Sequence, residues 1–416
     1  MRVCIHRGTK EIGGTCVEIE SSGKRLVLDM GLPLDTAEPD ELELHPVAGF
    51  AEPDPSLLGV CISHPHIDHY GLVYRLPEET PILIGKAAEA ILAAAVPFTP
   101  FGVEFDNVIH LRDRQPISLG PFTVTPFLVD HSAYDAYAFL VEADGQRLFY
   151  SGDLRAHGRK SSLFEKLIGN PPENVDVLLM EGTMVGRADK DEGWPSEAEL
   201  EARFAELFKQ EKGMCFVCCS SQNIDRLVSI FKACKLTGRQ LILDMYTAHI
   251  LREIGNTKLP QAHWDGIKVF LPKSQKWRIK KDKLFDIANS YRPWRIFSEN
   301  LAEAAPKSVM IFRPGMIRDV EEAQCFSDAC LVYSLWSGYL ERDSSKPLLE
   351  WLENRGIPKH HCHTSGHASV GDLRRLRNAF AQAVVVPVHL ERRDKYVEAF
   401  DNVEVHEDGD WWEIRN

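Results

Sequence analysis

The stretch SHPHIDHYG, residues 63–71, places three histidines and an aspartate within six positions. The apolar run LLGVCIS, residues 57–63, leads into it and predicts a strand that ends where these polar side chains begin. In an extended or turning segment His64 and His66 project to the same side, whereas Asp68 and His69 follow a bend. Imidazole and carboxylate groups are ligands for Zn²⁺ and Mn²⁺. The stretch therefore predicts a metal site in which one pair of side chains serves one ion and the other pair serves a neighbouring ion.

Further residues of the ligand type follow other predicted strands. His131 lies in LVDHSA, Asp153 in YSGDLR and His389 in VVVPVHLE. Two ions about 3.5–4 Å apart would bridge a water molecule, lower its pKa and polarise a phosphoryl or carbonyl oxygen. The pattern thus favours hydrolytic chemistry at a site with two divalent ions.

Composition limits the class of protein. The 416 residues are 44% hydrophobic and 26% charged, which is typical of a globular protein long enough for two domains. The chain contains no run of about 18 apolar residues, and MRVCIHRGTK lacks the apolar centre of a signal peptide. Ten scattered cysteines fit a reducing compartment. We therefore expect a cytoplasmic protein that does not bind membranes.

The net charge of -13 argues against broad attraction to nucleic acid, but it allows a local basic surface. Residues 268–283, KVFLPKSQKWRIKKDK, gather basic side chains around Trp277, with Lys276 and Arg278 directly beside it. Two interpretations stay open: a solvated surface element, or a surface that guides a nucleic-acid strand.

Local patterns predict the order of the elements. The first third alternates short apolar runs with turns, and Asp144-Gly145 indicates a β-hairpin. Residues 196–213 have helical periodicity, and residues 213–245 follow a strand, helix, strand pattern with a parallel crossover. We predict a layered α/β domain over residues 1–189, interrupted by a second α/β domain over residues 190–345 and completed by residues 346–416.

Two further motifs contain residues of the metal-ligand type. Cys215 and Cys218 have CxxC spacing, but in a strand they point to opposite faces, so we interpret them as core thiols. KHHCH, residues 359–363, is rich in histidine, and we assign His360 and His361 to a solvated turn.

The order of LDMG, SHPHIDHYG, DHS and SGD along the chain resembles the metallo-β-lactamase superfamily. LLMEGT (178–183), HTSGHAS (363–369) and PVHLE (387–391) resemble the three motifs of its β-CASP nucleases, and the ribonuclease J family in particular. SQNIDRLVSIFKACKLTGRQ (221–240) resembles that family too. The resemblance implies an αββα sandwich with an inserted α/β β-CASP domain. We expect the additional C-terminal domain of ribonuclease J to be missing.

The resemblance also implies roles for single residues. One ion would take His64, His66 and His131, the other would take Asp68, His69 and His389, and Asp153 would bridge them. Asp29 would orient a ligand or the water, Asp68 would take part in catalysis, and His367, held by Glu181, would be the general acid. The simpler interpretations are a turn carboxylate for Asp29, a surface carboxylate for Glu181 and a loop histidine for His367. Zn²⁺ is the expected metal, with Mn²⁺ as the alternative.

In the β-CASP enzymes that act on RNA, the third motif contains a histidine. The histidine at this position of the chain is His389. The resemblance thus implies a ribonuclease for single-stranded RNA that cuts from the 5′ end, internally or both. Two departures concern the turns: Leu390 separates His389 from Glu391, and Gly182 replaces the commoner serine after Glu181.

Two predicted helix starts, CSSQN and TSGHAS, carry hydroxyl groups and free backbone N–H groups. In one interpretation these hydroxyl and N–H groups bind phosphate. In the other, the polar side chains cap the helices and bind no ligand. The candidate residues are Ser220, Asn223, Ser365, Gly366 and Ser369.

Other functions stay open at this point. The acidic net charge keeps a DNA nuclease or a hydrolase for small phosphodiesters or esters as the alternative. A non-catalytic RNA-binding subunit is the third hypothesis. The sequence does not say whether the chain forms a homo-oligomer or which protein partners it has.

Overall fold

The computed structural model describes residues 1–34, 36, 38–187 and 193–415. The chain forms two compact units, the first made of residues 1–92, 103–194 and 366–416 and the second of residues 93–102 and 195–365. The strands are, in chain order, β1 (Arg2–Arg7), β2 (Cys16–Ser21), β3 (Lys24–Leu28), β4 (Leu57–Cys61), β5 (Ile82–Gly85), β6 (Val108–Leu111), β7 (Ile117–Leu119), β8 (Phe122–Val129), β9 (Ala136–Ala143), β10 (Gln146–Tyr150), β11 (Val177–Glu181), β12 (Cys215–Cys218), β13 (Gln240–Asp244), β14 (Ile267–Phe270), β15 (Arg295–Ile296), β16 (Ser308–Ile311), β17 (Cys330–Tyr333), β18 (Lys359–His361), β19 (Val384–Val388) and β20 (Trp411–Glu413).

The α-helices are short in most cases. In chain order they are α1 (Ile67–Tyr70), α2 (Lys86–Ala95), α3 (Ser161–Gly169), α4 (Glu197–Gln210), α5 (Ile224–Thr237), α6 (Met245–Glu253), α7 (Lys273–Lys281), α8 (Phe285–Ser290), α9 (Ser298–Ala304), α10 (Ile317–Ala323), α11 (Lys346–Arg355), α12 (Val370–Ala379) and α13 (Arg393–Ala399). Within the described residues, no helix combines the length and the apolar character that crossing a bilayer requires.

The first unit is built on two sheets, with strand orders β20-β1-β2-β3-β4-β5-β6 and β19-β11-β10-β9-β8-β7. Val17 and Ile19 on β2 point into the space between the sheets, where Val141 of β9 belongs to the same core cluster. Side chains alternate along a strand, so each sheet also has an outer face that needs cover. Helix α2 covers one of these outer faces, and α3, α12 and α13 cover the other. The predicted αββα sandwich is confirmed.

Candidate site residues lie at the ends of parallel strands. β3 pairs with β4 in parallel, and β11 pairs in parallel with both β10 and β19. Ligands of open α/β sheets bind beyond the carboxyl ends of parallel strands. The residues at or just after these ends are Asp29 (β3), His64 (β4), Asp153 (β10), Glu181 (β11) and His389 (β19).

The predicted hairpin forms between β9 and β10. Asp144 and Gly145 have φ values of 53° and 77°, and the strands pair antiparallel from Ala143 and Gln146 onward. Positive φ at both turn residues matches the right-handed twist of the flanking strands, which explains the Asp-Gly pair.

The second unit has one parallel sheet, in the order β15-β14-β13-β16-β12-β17-β18. The crossover predicted for residues 213–245 is confirmed as β12, α5 and β13, with β16 lying between the two strands. Helix α4 begins after Ser196, whose side chain forms a capping box with Glu199. Arg226 on α5 is fully buried and contacts Glu197 of α4 at 3.0 Å. The sequence analysis did not identify this buried ion pair.

The extent of the second unit differs from the prediction. The expected boundary at residues 189 and 190 lies outside the described residues. The chain joins the first unit again at Gly366 and not at residue 346. The reason is packing: Trp351 of α11 stacks on Phe312 with ring centroids 5.7 Å apart, and His360 of β18 pairs with Val332 of β17.

Candidate metal centre

The predicted ligands come together in the first unit. The ligand atoms of His64, His66 and His131 lie within 4.8 Å of one another, and so do those of Asp68, His69 and His389. Asp153 lies between the two groups, since its Oδ2 is 3.7 Å from His64 Nε2 and 3.1 Å from His69 Nε2. The same oxygen is 3.7 Å from Nε2 of His389. The arrangement therefore offers two neighbouring coordination sites with one shared carboxylate.

The donor set fits divalent cations. Within the described part of the chain, His64 Nε2, His389 Nε2 and Asp153 Oδ1 are buried without a hydrogen-bond partner. An unsatisfied buried polar atom costs about 1–3 kcal/mol, so a group of them needs compensation. Metal ions accept lone pairs from neutral imidazole and from carboxylates. Two divalent ions held by these residues would satisfy the atoms and balance the charges of Asp68 and Asp153.

Three residues behind the ligands fix the imidazole rings. Ser63 Oγ lies 3.0 Å from Nδ1 of His64, and Asp29 Oδ2 lies 2.7 Å from Nδ1 of His69. Thr15 Oγ1 lies 2.7 Å from Nδ1 of His389. A partner on Nδ1 fixes the tautomer and leaves Nε2 to face the centre.

Sequence reasoning identified only one of these three residues, Asp29. Ser63 could have been found, because it precedes His64 within the quoted stretch. Thr15 could not, because it lies 374 positions from His389 and its neighbours have no ligand-type pattern.

The backbone at two of these residues is unusual. Asp29 has a φ of 60° and His389 a φ of 55°, in the left-handed region that residues other than glycine rarely adopt. Such conformations cost on the order of 1 kcal/mol and persist where surrounding contacts hold them. Asp29 accepts hydrogen bonds from Ser63 and Tyr150, and these contacts hold its backbone in this conformation.

The glycine in LDMG permits a close approach. A Cβ on Gly31 would lie 1.8 Å from the carbonyl oxygen of Asp68. Met30 N donates to the carbonyl oxygen of His69 at 2.8 Å in the same place. Only glycine therefore lets this segment pack against the residues that carry Asp68 and His69.

The two departures from the β-CASP pattern contact each other. Leu390 is fully buried and belongs to the core cluster under the second sheet. A Cβ on Gly182 would lie 2.8 Å from Leu390 Cβ and 2.8 Å from Tyr396 Cδ2. The glycine after Glu181 thus makes room for the leucine after His389, and the ligand position of His389 is kept.

His367 and Glu181 form a pair beside the centre. His367 Nδ1 lies 3.1 Å from Glu181 Oε2 and 3.6 Å from Asp153 Oδ2. Glu181 is buried and is anchored by the backbone N–H of Leu154, which donates to Oε1 at 2.8 Å. Burial opposes a charge on the imidazole, but Glu181 and then Asp153 outweigh it and raise the pKa of His367 to about 9.

Most of the ligand histidines have the opposite electrostatics, and His69 is the exception. Burial, followed by the neighbouring imidazoles His69 and His131, lowers the pKa of His64 well below its usual value. Burial and His66 do the same to the pKa of His131. The lowered pKa values favour neutral rings with free lone pairs at His64 and His131. At His69 burial also opposes the charged form, but Asp153 and Asp29 outweigh it and raise the pKa.

The candidate phosphate-binding residues are divided between the units. In the first unit, a Cβ on Gly366 would lie 2.5 Å from Ser132 Oγ, and Ser369 caps α12 by accepting a hydrogen bond from Asp372 N at 3.0 Å. In the second unit, Ser365 is buried.

Ser220, Asn223, Lys276 and Arg278 also lie in the second unit. Ser220 Oγ accepts a hydrogen bond from Gln222 N, Asn223 caps α5, and Lys276 and Arg278 lie on α7. Capping accounts for Ser369 and Asn223, and phosphate binding at all of these residues stays a prediction.

The comparisons with known proteins agree with this architecture. Residues 25–208 match the family model described as a beta-lactamase superfamily domain. This match agrees with the sandwich and the His/Asp centre, so the first unit is similar to the metallo-β-lactamase superfamily. A protein of unknown function from Enterococcus faecalis V583 has the same fold, with a TM-score of 0.78, 18% identity and 99% coverage of both chains.

Several curated proteins that this chain is similar to carry the name ribonuclease J. The chain is 22% identical to the Sinorhizobium meliloti protein over 388 residues, covering 81% of this chain and 65% of the relative. It is 26% identical to the Mycobacterium tuberculosis protein over 255 residues, which cover 58% of this chain and 44% of the relative. It is 24% identical to the Helicobacter pylori protein over 283 residues, which cover 61% of this chain and 38% of the relative. The predicted resemblance to ribonuclease J is confirmed, and the chain spans between 38% and 65% of the length of these three relatives.

Proposed function

We propose that this protein is a metal-dependent ribonuclease that hydrolyses phosphodiester bonds of single-stranded RNA. The observation that carries the proposal is the position of the His367 and Glu181 pair next to two ligand groups that share Asp153. Phosphodiester hydrolysis needs an activated water, neutralisation of negative charge and a proton for the departing oxygen. The two parts of the centre match these needs.

The ligands would divide as the resemblance implies. His64, His66 and His131 would hold one ion, and Asp68, His69 and His389 the other, with Asp153 contacting both. When bound, two Zn²⁺ or Mn²⁺ ions would supply Lewis acidity and neutralise charge at the phosphate. Asp29, Ser63 and Thr15 keep three of the imidazole rings oriented through their Nδ1 atoms.

His367 is the group that gives a proton to the departing oxygen. Glu181 holds the ring by Nδ1 and favours its charged form, so a proton is available on the imidazole. General acid catalysis of this type contributes about 10²–10⁴-fold to a rate. Glu181 is a positioning residue, since it acts through His367.

Three observations favour RNA as the substrate. The relatives carry the name ribonuclease J, and His389 occupies the motif position that the resemblance links to RNA. In the second unit, α7 presents Lys276 and Arg278 beside Trp277, which is 63% exposed. An exposed indole with basic neighbours suits a nucleic-acid strand, because bases stack on the ring while cations meet phosphates.

The first test uses single-stranded RNA and DNA of equal sequence, labelled at either end, with Zn²⁺ or Mn²⁺. We expect metal-dependent cleavage of RNA that Asp153→Asn abolishes. Mononucleotides released from 5′-monophosphorylated RNA would identify 5′–3′ exonuclease action, and internal fragments would identify endonuclease action. Cleavage of DNA alone, or of neither polymer by a chain with two bound metals, would instead support the DNA nuclease or the small-substrate hydrolase.

A matched pair of variants tests the general acid. His367→Gln is expected to lower turnover by about 10²-fold or more while the metal content is retained. His110→Gln is the control, because His110 also pairs with a glutamate, Glu89, at 2.6 Å but is 39% exposed and lies outside the candidate centre. Equal rates for the two variants would remove the role assigned to His367.

A further inference from the structure

A second group of metal-ligand side chains lies in the second unit. Glu211, Cys330 and His360 have ligand atoms that all lie within 4.8 Å of one another. Glu211 follows the last residue of α4, Cys330 begins β17, and His360 lies in the middle of β18. Three separate elements therefore bring a carboxylate, a thiol and an imidazole to one place.

Strand pairing adds a fourth candidate. Cys215 of β12 pairs directly with Cys330 of β17, and Val332, two residues further along β17, pairs with His360. Residues two positions apart share a face of a sheet, so Cys215, Cys330 and His360 lie on the same face. The thiols of Cys215 and Cys330 share a hydrogen bond.

One expectation from the sequence holds here, and another changes. Cys218 lies in the core cluster on the other face of the sheet, so the CxxC spacing itself does not make a site. His360 lies in a strand and not in a solvated turn. The tertiary structure instead brings His360 of one motif to Cys330 and Glu211, and Cys215 of the other motif pairs with Cys330.

The atoms have the environment of coordinating groups. His360 Nε2 is buried and has no hydrogen-bond partner in the described residues, although it lies 3.3 Å from Glu211 Oε1. Bond lengths of about 2.0–2.3 Å in a tetrahedral zinc site place ligand atoms roughly 3.3–3.8 Å apart. The distance between His360 and Glu211 falls at the lower end of this range. Both side chains are partly exposed, which gives an ion a route from solvent.

We propose that Cys215, Cys330, His360 and Glu211 form a structural zinc site, separate from the His/Asp centre. Thiolate, imidazole and carboxylate are all zinc ligands, and four protein ligands close the coordination sphere. The site joins the end of α4 to strands β12, β17 and β18. Because β18 is a short strand at the sheet edge, an ion that ties it to its neighbours stabilises this edge.

Cobalt distinguishes this site from the His/Asp centre. Co²⁺ with thiolate ligands shows an intense near-ultraviolet charge-transfer band, whereas nitrogen and oxygen ligands give none. The full chain is stripped of metal, kept reduced with a reductant that contains no thiol and titrated with Co²⁺ alone. We expect the band in the wild-type chain and in Asp153→Asn, since all candidate ligands of the His/Asp centre are histidines and aspartates.

Variants identify the ligands. The band is expected to fall by about twofold or more in Cys330→Ser and in Cys215→Ser, and to vanish in the double variant. Cys325→Ser is the matched control, because Cys325 is another buried thiol of the second unit and lies in the core cluster with Cys218. The zinc content of Cys330→Ser should be one ion per chain below that of the wild type.

Several outcomes would overturn the proposal. A folded wild-type chain without the band would do so, and so would a full band in the double variant. A thiol count made before the reductant is added that falls two below the ten cysteines would also do so, because it would indicate a disulfide. If Cys330→Ser does not fold, His360→Ala decides, since it removes a partly exposed side chain and should still lower the zinc content. RNA cleavage is not measured in any of these experiments, so their failure would leave the proposed ribonuclease activity untouched.

Discussion

Asp29 Oδ2 lies 2.7 Å from Nδ1 of His69, and neither side chain is exposed to solvent. The opposite nitrogen of the same ring, Nε2, lies 3.1 Å from Asp153. A carboxylate behind an imidazole orients the ring and increases its basicity as a ligand. Asp29 also accepts hydrogen bonds from Ser63 and Tyr150, so its own position is fixed on several sides.

Replacing Asp29 by asparagine is expected to weaken metal binding at the Asp68, His69 and His389 group by about 10–100-fold. The amide keeps the shape of the side chain but loses the charge that favours the bound form of His69. Titration with Zn²⁺ against a competing chelator measures the change. Asp144→Asn, in the exposed hairpin turn, should bind as the wild type does, and equal affinities for both variants would contradict the role of Asp29.

The contact between Gly182 and Leu390 leads to a prediction about stability. Gly182→Ala is expected to lower the free energy of unfolding by about 1–3 kcal/mol, because the added Cβ meets Leu390 and Tyr396. Leu390→Ala is expected to lower it by about 2–5 kcal/mol by leaving a cavity. Chemical denaturation of both variants measures these costs.

The double variant tests whether the two residues are coupled. Leu390→Gly removes the Cβ that the new methyl group meets, so Gly182→Ala should cost less in a Leu390→Gly chain than in the wild-type chain, by about 0.5 kcal/mol or more. If the losses in the free energy of unfolding were additive, the absence of a side chain at Gly182 would make room for Tyr396 or for the backbone and not for Leu390.

His249 predicts a pH dependence of stability. It is buried on α6, and Arg252 Nη2 donates to its Nδ1 at 3.0 Å. Burial and then Arg252 lower its pKa to about 4, compared with about 6.5 in an unfolded chain. The unfolded state therefore binds more protons between these values, so the free energy of unfolding falls as the pH decreases from about 6.5 to about 4.

The comparison with His249→Gln separates this effect from acid loss of metal. The wild type should lose on the order of 2 kcal/mol more than the variant between pH 7 and pH 4. Denaturant unfolding at both pH values, at equal ionic strength, gives the difference. The same loss in both proteins would show that His249 titrates alike in the folded and unfolded states.

The basic helix α7 predicts a dependence on salt. If Lys276 and Arg278 contact phosphates, the double change to glutamate should weaken binding of single-stranded RNA and reduce the slope of log affinity against log salt by about 1 to 2. Lys232→Glu with Lys235→Glu on α5 changes the net charge equally and is the control, since both lysines are exposed in the same unit. An equal effect of the two double variants would favour the interpretation of α7 as a solvated surface.

The sequence by itself predicted the fold class and the candidate ligands, because the order of its motifs resembles the metallo-β-lactamase superfamily and because single motifs and turns are local patterns. The spacing of His64, His66, Asp68 and His69 after an apolar run predicts a metal site at a strand end. Asp144-Gly145 predicts a hairpin, and Ser196 before a helical period predicts a helix start. Each of these signals acts between residues only a few positions apart.

The tertiary structure alone decided which distant residues meet. Thr15 holds His389 across 374 positions, Gly182 makes room for Leu390, and Cys215 pairs with Cys330 beside His360. Parallel strands are joined by long crossovers, so their neighbours in space are set by strand order and register. Local sequence patterns do not contain that information, since register depends on how whole faces of side chains pack against one another.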